Sequence, residues 1–170
     1  ELVIPEKITS IGDYAFGSYD TPMSFVGELV IPNTVTYLGK TSFQNCNKFT
    51  GDLIIPDNVT NIGEYTFYGC TGFMGTLTLP ENLTTIGQYA FYYCKFDGAL
   101  IIPGKVTSIG NSAFRYCSGF DIIASVSLTP PTASSNTFSN TNLSTLYVQA
   151  EAVNAYNNKS PWYNFNIYAA

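Results

Sequence analysis

ELVIPEKITSIGDYAF, residues 1–16, returns four more times: ELVIPNTVTYLGKTSF at 28–43, DLIIPDNVTNIGEYTF at 52–67, TLTLPENLTTIGQYAF at 76–91 and ALIIPGKVTSIGNSAF at 99–114. The copies start at Glu1, Glu28, Asp52, Thr76 and Ala99, a period of 23 to 27 residues. A period in the twenties marks stacked supersecondary units, each burying its apolar edge against its neighbours. The chain therefore reads as a solenoid with one coil per copy.

Each copy opens with a short L-x-I strand, in which alternation turns the first and third residues inward and the middle one outward. Pro5, Pro32, Pro56, Pro80 and Pro103 close these strands, since proline cannot donate to a ladder. A second extended piece follows, with Ile8/Ile11, Val35/Leu38, Val59/Ile62, Leu83/Ile86 and Val106/Ile109 inward and a row of threonines from Thr9 to Thr107 in solvent. Gly12, Gly39, Gly63, Gly87 and Gly110 are expected to make a tight turn with positive φ. A short helical or 3₁₀ turn is then expected to carry Phe16, Phe43, Phe67, Phe91 and Phe114 into the core. Phe25, Phe49, Phe73 and Phe96 form a second aromatic column.

The pattern divides the chain into repeats at 1–120 and a C-terminal cap at 121–170. In the latter, SLTPPTASSNTF keeps only the Leu128, Pro130 and Phe138 landmarks. A further strand at Leu146–Val148, a short helix through Tyr156, and Trp162, Phe165 and Ile167 can close the stack, because a terminal repeat needs a non-sticky outer face. The chain opens inside a repeat, at Glu1-Leu2-Val3, and is read as a portion of a longer protein. The lack of a targeting segment therefore says nothing about location.

Composition bounds the chemistry. The 170 residues are 45% hydrophobic and only 11% charged, with 15% aromatic, so Thr, Ser, Asn and Tyr must face much of the solvent. A net charge of −5 with seven basic residues argues against nucleic acid and anionic membrane surfaces. No apolar run approaches the roughly 20 residues of a membrane-spanning helix, so no direct membrane insertion is expected. With no histidine, Ser-His and Cys-His arrangements are excluded. Carboxylate pairs remain possible, but Glu1, Glu28 and Asp52 share one repeat position and Glu6, Asp57 and Glu81 nearly another, as expected of a solvated strand edge. No cofactor motif occurs.

Cys46, Cys70, Cys94 and Cys117 each follow the repeat phenylalanine by three residues and must stack in one column. Coils about 5 Å apart put their Cα atoms in disulfide range, but parallel Cβ vectors aim the sulfurs poorly. Buried free thiols are the first reading and disulfides the alternative. Zinc is disfavoured, because ligands along a line cannot form a tetrahedron. The N-x-[ST] sequons at Asn58, Asn82, Asn142 and Asn158 are either products of the repeat grammar or glycan acceptors.

The combination L-x-I-P-x-x-V-T-x-I-G-x-x-A-F-x-x-C over residues 1–117 resembles the BspA-like, or Treponema-type, leucine-rich repeat family. Thr129–Pro131, Leu146–Val148, Tyr156 and Trp162 resemble the cap of such proteins from gut Bacteroidetes. The resemblance implies a mostly β member of the α/β leucine-rich-repeat class. The expected fold is a right-handed solenoid with a parallel concave L-x-I sheet and short 3₁₀ or helical turns on its convex side. It also implies export to the cell surface and adhesion to host matrix proteins or other macromolecules. The family has no fixed functional residues to transfer. Tyr19 at the cysteine phase and a longer first connector depart from its pattern.

The function expected is a non-enzymatic surface module that binds protein or glycan. A spacer projecting another domain is the alternative, and a polysaccharide-active β-solenoid enzyme a remote third. The outward strand positions Val3, Val30, Ile54, Thr78 and Ile101, flanked by Glu28 and Asp52, are either an interaction patch or residues kept for strand propensity. Tyr92 and Tyr93, in a tyrosine-rich region with Tyr14, Tyr65, Tyr68, Tyr89 and Tyr116, are a second candidate. Their alternative role is packing between coils.

Overall fold

A computed structural model describes residues 1–170. Its longest sheet is built by the second extended piece of each copy. Strands β1 (Ser10–Ile11), β3 (Tyr37–Leu38), β6 (Asn61–Ile62), β8 (Thr85–Ile86) and β10 (Ser108–Ile109) lie parallel in that order. Ile11, Leu38, Ile62, Ile86 and Ile109 align across it and are buried. The neighbouring threonines do more than face water. The amide and the hydroxyl of Thr36 both donate to the Thr9 carbonyl, at 2.9 and 3.2 Å. Thr84 repeats this on Thr60, Thr107 on Thr84 and Thr132 on Thr107. Thr132 thus carries the ladder into a sixth coil.

The L-x-I strands pair in pieces. β5 (Leu53–Ile54) pairs with β7 (Leu77–Thr78). β9 (Gly98–Ile102), β11 (Phe120–Ser125), β12 (Thr145–Val148) and β13 (Asn166–Ala169) form a four-stranded parallel sheet. Leu2–Ile4 and Leu29–Ile31, expected as strands, keep the alternation of burial but have no ladder. The pairing between coils 2 and 3 lies upstream instead, between β2 (Gly27–Glu28) and β4 (Phe49–Thr50). Side-chain burial therefore holds the register where ladder bonds are missing.

The phenylalanine turn is not helical in any coil. Its backbone alternates hands: Tyr14, Thr41, Tyr65, Tyr89 and Ser112 take φ of 55–61°, and Asn45, Gly69, Tyr93, Tyr116 and Asn140 take 59–71°. Alternate amides then bond in two ways. Some close local three-residue turns, as Cys70 to the Phe67 carbonyl at 3.2 Å, while Tyr65, Phe67 and Gly69 donate to Gln88, Ala90 and Tyr92 of the next coil. Single 3₁₀-type bonds occur, but every second one is replaced by an inter-coil bond, so no helix propagates.

The repeat glycines differ from expectation as well. None of Gly12, Gly39, Gly63, Gly87 and Gly110 has positive φ; Gly27, Gly51, Gly69 and Gly98 do. Gly39, Gly63, Gly87 and Gly110 are required by close approach. A Cβ on Gly87 would lie 2.6 Å from the Glu64 nitrogen and the Gly63 carbonyl of the coil before, whereas one on Gly12 meets nothing.

One apolar cluster runs from Ile4 to Trp162. Phe16, Phe43, Phe67, Phe91, Phe114 and Phe138 stack at 5.2–5.8 Å between ring centres, and the second column continues from Phe96 to Phe120 at 6.0 Å. In the first coil Phe16 and Phe25 are only partly covered, and Ile8, expected inside, is exposed. Leu128, read as a repeat landmark, is also exposed; Ile123 of β11 takes the inward place, in register with Leu100. At the far end Trp162 is fully buried between Phe138 and Tyr156, and its indole N–H donates to the Pro131 carbonyl at 2.8 Å. The α-helix α1 (Val153–Asn157) supplies Tyr156, whose hydroxyl meets Ser125 Oγ at 2.6 Å.

Candidate functional site

Strand alternation puts Leu53 and Ile55 in the core and leaves Ile54 outside, and the same holds in the other copies, with Leu2 of the first only partly covered. The outward residues Val3, Val30, Ile54 and Ile101 are 53–79% exposed, and Thr78 is exposed between them. Register places Ile54 beside Thr78, then Ile101 beside Ala124, Ala124 beside Tyr147, and Tyr147 beside Tyr168. The seam is thus longer than the five repeat copies, and it ends in two tyrosines. Sequence reasoning missed this extension, because the sixth strand at Phe120–Ser125 lacks the L-x-I-P signature.

Carboxylates flank the seam on both sides. Glu1, Glu28 and Asp52 precede the strand, Glu6, Asp57 and Glu81 follow its proline, and all are exposed. None is in an ion pair; the single salt bridge joins Lys40 to Glu64 at 3.0 Å. Asp52 is held in place. Its Oδ1 accepts from the Thr76 amide at 2.6 Å and the Thr76 hydroxyl at 3.0 Å, and these bonds lower its pKa below the usual carboxylate value. A depression of about 440 Å³ runs over Val3 and Val30 between Glu6 and Glu28, and one of about 420 Å³ over Val30 and Ile54 between Glu28 and Asp52. A third, about 620 Å³, lies over Thr78 and Ile101 with Asp57, Glu81 and Lys105 at its rim. The structure therefore brings together Val3, Val30, Ile54, Glu28 and Asp52, with Thr78 and Ile101 in a separate groove along the same seam.

Tyr92 and Tyr93 lie elsewhere, on the turns. Tyr93 is 45% exposed and Tyr92 half-buried, its pKa raised by burial. Tyr68 stacks on Tyr92 at 4.9 Å, Tyr65 on Tyr89 at 5.0 Å and Tyr93 on Tyr116 at 4.7 Å. Lys40 sits 5.9 Å from the centre of the Tyr65 ring, and Arg115 sits 5.0 Å from that of Tyr116. Each of these rings gives one face to a neighbouring tyrosine, which favours the packing role.

The four thiols are free and buried, and each donates to the phenylalanine carbonyl one coil earlier: Cys46 to Phe16, Cys70 to Phe43, Cys94 to Phe67 and Cys117 to Phe91. Burial pushes all four upward, Cys46 to about 12. Three sequon asparagines bridge coils as well, Asn58 to the Asn33 carbonyl, Asn82 to Asp57 and Asn142 to Ser118. No group of three or more His, Cys, Asp or Glu side chains converges as metal ligands, and no helix is long and apolar enough to cross a membrane.

The sequence pattern of the BspA type leucine rich repeat region matches this chain in six copies, over residues 1–119 and 50–160. The chain belongs to the BspA-type leucine-rich repeat family. Among solved structures, a leucine-rich repeat protein from Bacteroides ovatus is 32% identical, with a TM-score of 0.64 over 82% of this chain. This chain spans 35% of that protein's length. A leucine rich cell surface protein from Faecalibacterium prausnitzii is 20% identical over 86% of this chain and 60% of its own length, with a TM-score of 0.49. No functionally curated protein matches the chain in sequence. BspA-type coils present an extended, repetitive surface, the architecture of an interaction module.

Proposed function

We propose that the chain is a non-enzymatic recognition module of an extracellular or cell-surface protein, binding a protein or glycan partner through its L-x-I face. Residues 121–170 act as the cap that closes the stack. The observation that carries this reading is the seam: an aliphatic row open to solvent over successive coils, lined by grooves and bordered by unpaired carboxylates. Strand propensity accounts for β-branched residues at such positions, but not for the two adjoining grooves that meet at Val30. Thiols sealed in the core tolerate an oxidising exterior.

The test is a screen on immobilised matrix proteins and glycans. Val30→Lys with Ile54→Lys is expected to abolish capture of any ligand found while leaving thermal unfolding nearly unchanged, since both residues face outward. Tyr92→Ser with Tyr93→Ser is expected to leave capture intact. Loss in the tyrosine pair alone would move the site to the turns.

A further inference from the structure

Building on that reading, we propose that the seam takes a basic amphipathic polypeptide segment, a helix with an aliphatic stripe flanked by lysine or arginine, in preference to a saccharide. The two carboxylate rows lie one on each side of the aliphatic seam, so the face is the charge complement of such a helix. Lys105 is the one cation lining the three grooves, and its Nζ is engaged by Asn82 Oδ1 at 2.7 Å. Carboxylates flank the seam from Glu1 and Glu6 to Asp57 and Glu81, over the first four coils, so an anionic glycan or a phosphate backbone meets repulsion there.

Spacing also favours a helix. The five-stranded sheet β1-β3-β6-β8-β10 joins all five coils, and ladder-joined strands recur about every 4.8 Å. A helix lying along the stack returns a side chain to the seam about every 5.4 Å, close to that spacing. Same-face residues of an extended strand recur about every 6.7 Å and fall out of step by the second coil. Five coils correspond to roughly 13 helical residues. A neutral sugar gains most from an open aromatic face, and from Val3 to Ile101 the seam is aliphatic apart from Thr78.

The experiment titrates the full chain with two labelled peptides of about 15 residues, one amphipathic Lys/Leu helix and its Glu/Leu counterpart, by fluorescence anisotropy at about 50 and 300 mM salt. The Lys/Leu peptide is expected to bind, more weakly at high salt, and the Glu/Leu peptide not to bind. Glu28→Gln with Asp52→Asn is expected to weaken binding about fivefold. Asp13→Asn with Asp20→Asn removes the same charge from the first turn, outside the grooves, and is expected to change it less than about twofold. Val30→Lys with Ile54→Lys abolishes it. Equal binding of the two peptides, equal loss in the two neutralised pairs, or no binding of the Lys/Leu peptide overturns the proposal. An array ligand lost on Val30→Lys with Ile54→Lys but indifferent to Glu28→Gln with Asp52→Asn would leave the recognition reading standing and remove only this partner.

Discussion

The Cys94 thiol lies 3.2 Å from the carbonyl oxygen of Phe67, one coil earlier, and donates to it. The same oxygen accepts the Cys70 amide at 3.2 Å. The cysteine column thus serves the second lone pair of a buried carbonyl that no other group reaches. Alkylation of the native protein at neutral pH is expected to modify almost none of the four thiols, and denaturation without reductant to release all four. Two or none in the denatured sample would show that disulfides form.

The same burial sets a pH dependence. The thiols ionise near 9 in the unfolded chain, but the fold holds them protonated to higher pH, Cys46 to about 12. Their contribution to stability is complete below about pH 9 and is lost as pH rises through the window above it. Each buried thiol takes away about 1.4 kcal/mol per pH unit there. Urea midpoints between pH 8 and 11 are expected to fall more steeply for the native sequence than for a variant with all four cysteines replaced by alanine. Equal slopes would assign the loss to tyrosine ionisation.

Gly87→Ala and Gly12→Ala form a matched pair. The first puts a methyl 2.6 Å from the backbone of the preceding coil and the second puts one in open space. Gly87→Ala is expected to cost more than about 2 kcal/mol, and Gly12→Ala to be neutral or stabilising by up to about 1 kcal/mol. Similar melting temperatures would remove the close-approach argument.

Ser112 has φ of 56°, is buried, and leaves its hydroxyl without a partner. A left-handed serine costs roughly 1–2 kcal/mol, more than the entropy that glycine adds to the unfolded chain. Ser112→Gly is therefore expected to raise the melting temperature. A fall would show that the side chain packs more favourably than its missing hydrogen bond suggests.

Phe67 is fully buried and stacks on Phe43 at 5.3 Å and on Phe91 at 5.5 Å, whereas Thr60 is exposed. Phe67→Ala is expected to cost on the order of 3–5 kcal/mol, and Thr60→Ala less than about 1 kcal/mol. Denaturation midpoints measure both.

Burial was legible in the sequence because it follows side-chain periodicity: Leu53 in, Ile54 out, Ile55 in, and Phe67 beneath Phe91. What escaped was backbone geometry. Tyr65 and Tyr89 adopt left-handed φ that nothing in their side chains announces, and tertiary stacking imposes it. Gly87 was read as a turn residue because glycine serves turns and close contacts alike, and only the neighbouring coil distinguishes the two. Thr107 was read as solvated, and it is, yet its hydroxyl also fastens one coil to the next. At the seam, Val30 and Glu28 could be assigned to one face from repeat phase alone. Ala124, Tyr147 and Tyr168 could not, since their alignment depends on strand register beyond the last regular copy.

The phenylalanine turns have one more property. Every inter-coil amide there points the same way, from Tyr14, Phe16 and Ser18 to Lys40, Ser42 and Gln44, and so on to Tyr116 and Ser139. Parallel strands alternate donor directions and nearly cancel their dipoles, whereas this column adds them. The solenoid therefore has an electrical polarity along its axis, with carbonyls facing the first coil and amides facing the last.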